Sequence, residues 1–87
     1  MASYSVFVGA SAQREIENLQ LQERQRVIAA IGGLREEPRP TGCQKLSARE
    51  RYRIRIGDYR VIYTIDDAEV TVLVVKLGHR RDVHRGR

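Results

Sequence analysis

The sequence contains few of the residues that cross-link a protein or hold it in a membrane. It has one cysteine, Cys43, one phenylalanine, two prolines and no tryptophan among 87 residues. A single cysteine excludes an intrachain disulfide, and no Cys or His spacing is typical of a zinc site. Every uninterrupted apolar run, such as residues 72–75, is too short to cross a bilayer, and the N-terminus lacks a signal-peptide pattern. We therefore expect a soluble, cytoplasmic protein without a metal, a cofactor or a membrane contact.

Length and composition indicate one small globular domain. The 87 residues are 41% hydrophobic and 31% charged, a balance typical of folded rather than disordered chains. A domain of this size buries only roughly 60% of the surface that its unfolded chain exposes. No repeat or linker interrupts the sequence. We predict a single domain that spans residues 1–87.

The net charge is concentrated in the second half of the chain. Residues 1–44 contain five basic and five acidic residues, whereas residues 45–87 contain eleven basic and six acidic ones. The second half therefore carries the whole net charge of +5. This asymmetry indicates a polyanionic partner for that half, with nucleic acid the first candidate and an acidic protein the second.

Two helices are predicted after an N-terminal strand. Residues 3–9, SYSVFVG, have the two-residue alternation of a strand, and Ser11 is a candidate N-cap for the first helix. A polar stretch at residues 20–23 separates the helices, and Pro38 and Pro40 end the second. The apolar faces are Ala12, Ile16 and Leu19 in the first helix, and Val27, Ala30, Ile31 and Leu34 in the second.

Three strands are predicted in the second half: Arg51–Ile56, Tyr59–Ile65 and Val70–Leu77. The turns between them are short enough for antiparallel hairpins, and residues 41–50, TGCQKLSARE, are predicted as a loop. The helices must cover one sheet face, because an exposed apolar face is unstable in water. The predicted fold class is α+β: an N-terminal strand, a helical hairpin packed on one face of a small sheet, a three-stranded antiparallel meander and a short basic C-terminal tail.

The segment RYRIRIG places an arginine at every second position, at Arg51, Arg53 and Arg55. In a strand these side chains share one face, and Arg60 joins them if Tyr59 and its alternating partners are core. Like charges on adjacent strands are unfavourable without a counterion. The arginines therefore need ordered carboxylates or phosphate, although a merely solvated face remains the alternative from this segment alone.

The tail adds further cationic groups and two residues that can exchange protons near neutral pH. His79, Arg80, Arg81, His84 and Arg85 lie within seven residues, and the end of the last strand brings them towards the arginine face. Surface residues at a chain terminus are the alternative interpretation. Basic neighbours lower the pKa of a histidine and leave neutral imidazole available to accept a proton. Cys43 lies near Lys45, but a lone loop cysteine is more often incidental.

Three segments resemble the RelE branch of the RelE/ParE toxin superfamily. They are KL at residues 45–46, YRIRIGDYRVIYTIDD at residues 52–67 and VLVVKLGHRRDV at residues 72–83. The resemblance extends over nearly the whole chain and implies the RelE-like order of one strand, two helices and three strands. It further implies a toxin of a toxin–antitoxin pair, an endoribonuclease that cuts mRNA in the ribosomal A site without a metal and so inhibits translation.

The family's functional positions are carried over one by one. Its two strand lysines fall on Arg53 and Arg55, its next-strand arginine on Arg60, its arginine after the last strand on Arg80 and its terminal tyrosine on His84. Arginine holds phosphate oxygens well but is a poor proton carrier, because its pKa lies above about 12. The hypothesis is that the four arginines bind phosphate and stabilise charge while His84 transfers a proton, as base or acid.

Secondary roles are expected for neighbouring residues. Lys45, Arg51, Arg81 and His79 are candidates for RNA binding, with His79 a reserve candidate for proton transfer. The family also stacks splayed bases on aromatic side chains; Tyr52 or Tyr59 is the candidate for this role if exposed, although a core role is the stronger interpretation.

The resemblance also implies partners and one alternative. The partners are the ribosome with its mRNA and a cognate antitoxin, expected to contribute an acidic, amphipathic segment and to form a hetero-oligomeric complex. The alternative function is non-enzymatic: a ParE-like gyrase inhibitor, or a protein that binds RNA or ribosomes and blocks translation.

Overall fold

The fold consists of one mixed sheet with two helices on one of its faces. The computed structural model describes residues 3–46 and 50–79. The elements, in chain order, are β1 (Ser5–Val8), α1 (Ala10–Glu17), α2 (Leu21–Gly33), β2 (Gln44–Leu46), β3 (Arg51–Ile56), β4 (Tyr59–Asp66) and β5 (Thr71–His79).

The five strands lie in the order β1-β5-β4-β3-β2. The strands β3 to β5 pair antiparallel, as predicted for the meander. In addition, β2 pairs antiparallel with β3, and β1 pairs parallel with β5. The predicted α+β class is confirmed. The prediction of a loop over residues 41–50 is wrong at Gln44–Leu46, which forms β2 at the edge of the sheet.

The core lies between the helices and one sheet face. Alternate residues of β3 and β4 point to the helices, so that Tyr52, Ile54, Val61 and Tyr63 are buried as expected from their spacing. The Tyr63 hydroxyl donates a hydrogen bond to the Pro38 carbonyl at 2.8 Å, which fixes the chain after α2. The other buried apolar residues are Ala12, Ile16, Val27, Ile31, Leu34, Ile65, Val72, Val74 and Leu77.

The first helix begins one residue before the predicted cap. Gly9 is the N-cap residue, while Ser11 lies inside α1 and is exposed, so the prediction of Ser11 as N-cap is wrong. The Gly9 amide donates a 2.8 Å hydrogen bond to the Val74 carbonyl, and a Cβ at Gly9 would lie 3.2 Å from that oxygen. The close approach of helix and strand therefore decides where α1 begins.

A β-bulge changes the side-chain alternation within β5. Ile62 pairs with Lys76 but Tyr63 pairs with Val74, which leaves Val75 as the extra residue. Before the bulge Val72 and Val74 point to the helices, whereas after it Leu77 does so.

In the described part of the chain, neither helix has the length and apolar character needed to cross a bilayer.

Candidate functional site

The sheet face opposite the helices, here called the open face, carries the arginines of β3 and β4. Directly opposed residues of paired strands share a face, and the register pairs Arg55 with Arg60 and Arg53 with Ile62. The structure therefore brings Arg53, Arg55 and Arg60 to one face, as their alternation predicts. Arg51 lies on the same face opposite Thr64.

The β3 arginines have no carboxylate to neutralise them within the described residues. Over residues 3–46 and 50–79, Arg51, Arg53 and Arg55 form no ion pair. Arg53 instead donates a hydrogen bond to the side-chain oxygen of Gln44 on the edge strand β2. Gln44 thus orients the Arg53 guanidinium while leaving its charge uncompensated.

A polar cavity lies beside these side chains. It has a volume of about 240 Å³ and is lined by Gly42, Gln44, Arg53 and Arg55. Guanidinium groups present several N–H donors in a fixed plane, an arrangement that matches the oxygens of a phosphate. The cavity therefore brings two of the predicted site residues, Arg53 and Arg55, together in a space whose donors suit an anion.

Arg60 differs from the other arginines because it is only 7% exposed. It sits on the central strand β4, between Arg55 on β3 and Gly78 on β5. An arginine keeps its charge when buried, since its pKa is too high for it to lose a proton. A buried cation held by strands on both sides is fixed in position, which is the condition for electrostatic stabilisation without reorganisation.

Two other predicted site residues lie on the helix-covered side. Lys45 pairs with Tyr52, and its amino group forms an ion pair with Glu50 at 3.3 Å. His79 pairs with Tyr59, and the two rings meet edge to face with centroids 5.0 Å apart. The structure therefore does not bring Lys45 and His79 together with the open-face arginines. The remaining predicted site residues, Arg80, Arg81 and His84, lie outside the described residues.

The two tyrosines considered for base stacking also face the helices. Tyr52 is buried and stacks on Tyr63 with ring centroids 5.9 Å apart. Tyr59 is half-buried and donates a hydrogen bond to Glu23 at 3.2 Å; burial, and then Glu23, raises the pKa of its hydroxyl. Burial likewise raises the pKa of Tyr63. Tyr52 therefore packs in the core, which was the stronger interpretation from the sequence.

A polar network joins the turn after β4 to the chain after α2. Arg39 donates two hydrogen bonds to the Asp67 carboxylate, at 2.9 and 3.3 Å, and Tyr4 donates a third at 2.8 Å. Arg39, followed by Tyr4, holds the pKa of Asp67 below its ordinary value, and the bond to Asp67 raises the pKa of Tyr4. The Arg39 Nε also donates to Tyr52, whose hydroxyl donates to Glu50. This network stabilises the fold and does not include the open-face residues Arg51, Arg53 and Arg55.

Sequence reasoning missed two polar residues of the open face, Gln44 and Lys76. Gln44 lies in a three-residue strand without β-branched or aromatic residues, so its sequence gives no strand signal. Lys76 reaches the open face only because of the bulge at Val75; strict alternation with Val72 and Val74 would turn it to the helices. Among the described residues, no cluster of three His, Cys, Asp or Glu side chains is placed to hold a metal ion.

Comparison with known proteins identifies the family. The family model described as the ParE toxin of the type II toxin–antitoxin system parDE matches residues 7–84. The chain belongs to the ParE toxin family. The matched range begins within β1 and includes every later element and the predicted residues Arg80, Arg81 and His84.

Relatives of this toxin carry RelE-type names. The chain is 33% identical to Toxin RelG of Mycobacterium tuberculosis, over 94% of this chain and 97% of that protein. Its fold resembles the toxin in the archaeal RelE–RelB complex of Pyrococcus horikoshii, with a TM-score of 0.83, 27% identity and coverage of 90% and 96% of the two chains. The fold also matches a chain of the E. coli RelBE toxin–antitoxin complex, with a TM-score of 0.78 and 23% identity over 88% and 96% of the chains. The predicted RelE/ParE superfamily and its RelE-like fold are confirmed.

Proposed function

We propose that this toxin is a ribosome-dependent endoribonuclease that cuts mRNA in the A site and so inhibits translation. The observation that carries the proposal is the set of arginines on the open face. Arg53 and Arg55 line one polar cavity without a carboxylate partner in the described chain, and Arg60 lies buried beside Arg55. Such a face needs an anion, and the phosphodiester of RNA supplies one.

The chemistry divides between charge and proton transfer. The 2′-oxygen loses its proton and attacks the neighbouring phosphorus, the bond to the 5′-oxygen breaks, and that oxygen takes up a proton as it leaves. The products are a 2′,3′-cyclic phosphate and a 5′-hydroxyl. Arg53, Arg55, Arg60 and Arg80 stabilise the extra negative charge of the phosphorane. Arginine does not carry the protons, so His84 is assigned that step, as base or acid.

The position of His79 favours His84 over His79 as the residue that transfers a proton. Its ring lies against Tyr59 on the helix-covered side, whereas the arginines lie on the open face. His79 thus has a packing role that accounts for its position, and His84 is the other histidine of the chain. We keep His84 as the residue to test.

The test maps cleavage of mRNA on programmed ribosomes by primer extension. His84→Ala is expected to abolish most cleavage while leaving folding intact. Arg55→Ala, an exposed position, is expected to reduce cleavage by on the order of 10²-fold through lost charge stabilisation. Arg35→Ala is the matched control, since Arg35 is also exposed but follows α2. Full cleavage by His84→Ala would show that His84 does not transfer a proton in the reaction. Equal effects of Arg55→Ala and Arg35→Ala on cleavage would show that the open face is not the RNA site.

An antitoxin partner follows from the same comparisons. The archaeal neighbour is a chain of a RelE–RelB complex, and the E. coli neighbour is a chain of the RelBE toxin–antitoxin complex. We therefore propose a cognate antitoxin for this chain, with an acidic, amphipathic segment that neutralises the basic half and forms a hetero-oligomer. Co-expression with the neighbouring gene product, followed by co-purification at rising salt, tests that pairing.

One observation favours a second candidate, inhibition of DNA gyrase. The matching family model is named for ParE, so the family name does not distinguish a nuclease from a ParE-like inhibitor. A supercoiling assay run beside the cleavage assay separates the two. Inhibited supercoiling without mRNA cleavage would replace the nuclease by the gyrase inhibitor, and ribosome binding without either activity would indicate a translation blocker.

A further inference from the structure

The open face carries an apolar patch as well as arginines. Phe7, on the edge strand β1, is 57% exposed, and Leu73, on β5, is 41% exposed. The register places them directly opposite each other, so their side chains lie together on one face. Phe7 is the chain's single phenylalanine, and it is not used in the core.

This patch is continuous with the arginine face. Leu73 pairs with Thr64 on β4, and Thr64 pairs with Arg51 on β3, so one row of side chains runs from Phe7 to Arg51. Three strand spacings separate the ends of the row, a distance of about 14 Å. The next row across the sheet contains Lys76 and Arg53. A row with cationic groups therefore lies on one side of the apolar patch, whereas the row on its other side contains Thr71 and Asp66.

We propose that Phe7, supported by Leu73, is a stacking platform for a base of the single-stranded RNA whose phosphates the arginines hold. Proteins that bind single strands combine a cationic surface with exposed aromatic side chains, since every base has a stacking face. The inference rests on the proposed RNA substrate and assigns a positioning role to Phe7. The cationic residues Lys76 and Arg53 on the same face favour a polyanion as the occupant, and single-stranded RNA is a polyanion that also offers planar groups to stack on Phe7.

The experiment measures RNA binding directly, so that it does not depend on cleavage. The probe is a 2′-O-methyl oligoadenylate, which lacks the attacking hydroxyl, and affinity is measured by fluorescence anisotropy over a range of salt concentrations. Phe7→Ser is expected to weaken binding at least about five-fold, because stacking contributes roughly that factor or more per base. The slope of log affinity against log salt should stay unchanged, since stacking releases no counterions.

Two variants serve as controls. Arg55→Ala is expected to reduce the salt slope by about 0.7, the value for one lost phosphate contact on a single strand. Leu21→Ser replaces an apolar side chain that is 61% exposed on α2, on the other side of the sheet, and should leave binding unchanged. An effect of Leu21→Ser equal to that of Phe7→Ser would overturn the proposal.

A conservative variant separates stacking from structure. Phe7→Trp keeps an aromatic face and introduces the only tryptophan of the chain, so its fluorescence should be quenched when the oligoadenylate binds. The Phe7→Ser penalty should disappear with a ribose-phosphate oligomer that lacks bases. A penalty that persists there, or an unquenched indole, refutes the stacking platform.

The failure of this inference is distinguishable from failure of the proposed function. If Arg55→Ala weakens binding and Phe7→Ser does not, the RNA face stands and the platform is wrong. If neither variant matters, the RNA face itself is wrong. If Phe7→Ser weakens only antitoxin co-purification, the patch is a protein interface and the platform is again wrong.

Discussion

One hydrogen bond at the edge of the sheet has a stability contribution that can be worked out from its geometry. The strand β5 extends to His79, but β1 pairs with it only as far as Val74. Beyond that point the buried Leu77 donates its backbone N–H to the Glu15 carboxylate of α1 at 3.0 Å. Glu15 therefore supplies the acceptor that a neighbouring strand would otherwise supply.

Removing this acceptor leaves the part-buried Leu77 amide without its hydrogen-bond partner. Such a group costs about 1–3 kcal/mol, so we expect Glu15→Ala to lower the free energy of unfolding by about 2 kcal/mol. For a domain of this size the melting temperature should fall by roughly 8–16 °C. Glu15→Gln keeps an oxygen acceptor but loses the charge, and about half of the loss is expected.

Urea unfolding followed by circular dichroism measures this loss, with the midpoint and slope fitted separately. Glu17→Ala is the matched control: Glu17 lies in the same helix, accepts a 3.0 Å bond from Gln13 and is exposed. Its effect should stay within about 0.5 kcal/mol. A Glu15→Ala protein as stable as the wild type, or a Glu17→Ala protein as unstable as Glu15→Ala, would refute the assignment of the loss to the Leu77 amide.

Three further predictions concern the fold. Arg39 and Tyr4 lower the pKa of Asp67 below 3.8, so the charged carboxylate stabilises the folded state above that pH. This contribution is lost as the pH falls through the lowered pKa. In thermal melts from pH 5 to 2, the melting temperature of Asp67→Asn should therefore decline less than that of the wild type. Gly9→Ala should destabilise the protein by about 1 kcal/mol, because the added Cβ would lie 3.2 Å from the Val74 carbonyl oxygen. Gly32→Ala adds a methyl group in open space within α2 and should stabilise the protein by about 0.5–1 kcal/mol. Both changes are measured by the same urea titration. Val70 has a φ of 54°, unfavourable for a β-branched residue, so Val70→Asn should raise stability by about 1 kcal/mol, and an unchanged or lower midpoint would contradict this.

The sequence allows the longer elements to be predicted because burial on one face dictates their periodicity. Tyr52, Ile54, Val61 and Tyr63 alternate with polar residues and are all buried against the helices. The edge strand at Gln44–Leu46 could not be predicted, since three residues with little strand propensity pair only because β3 offers a free edge. Its pairing is a property of the assembled sheet.

The candidate site was predictable only in part for a related reason. Alternation correctly puts Arg53 and Arg55 on one face with Arg60. The burial of Arg60 depends on its position in a central strand, which a local pattern does not reveal. Strict alternation from Leu73 would also place His79 on the open face, whereas the bulge at Val75 moves it to the helix-covered side.

The opposed arginines connect stability with function. Arg55 and Arg60 are direct cross-strand neighbours, and like charges in that arrangement repel each other. A polyanion that binds only the folded state lowers that free energy and stabilises the protein by mass action. If RNA and an acidic antitoxin segment both bind the open face, as proposed above, each would relieve the same repulsion, and occupancy by one would reduce the affinity for the other. If the open face holds the RNA phosphates as proposed, an antitoxin that neutralises Arg53, Arg55 and Arg60 would block phosphate binding without any contact with His84.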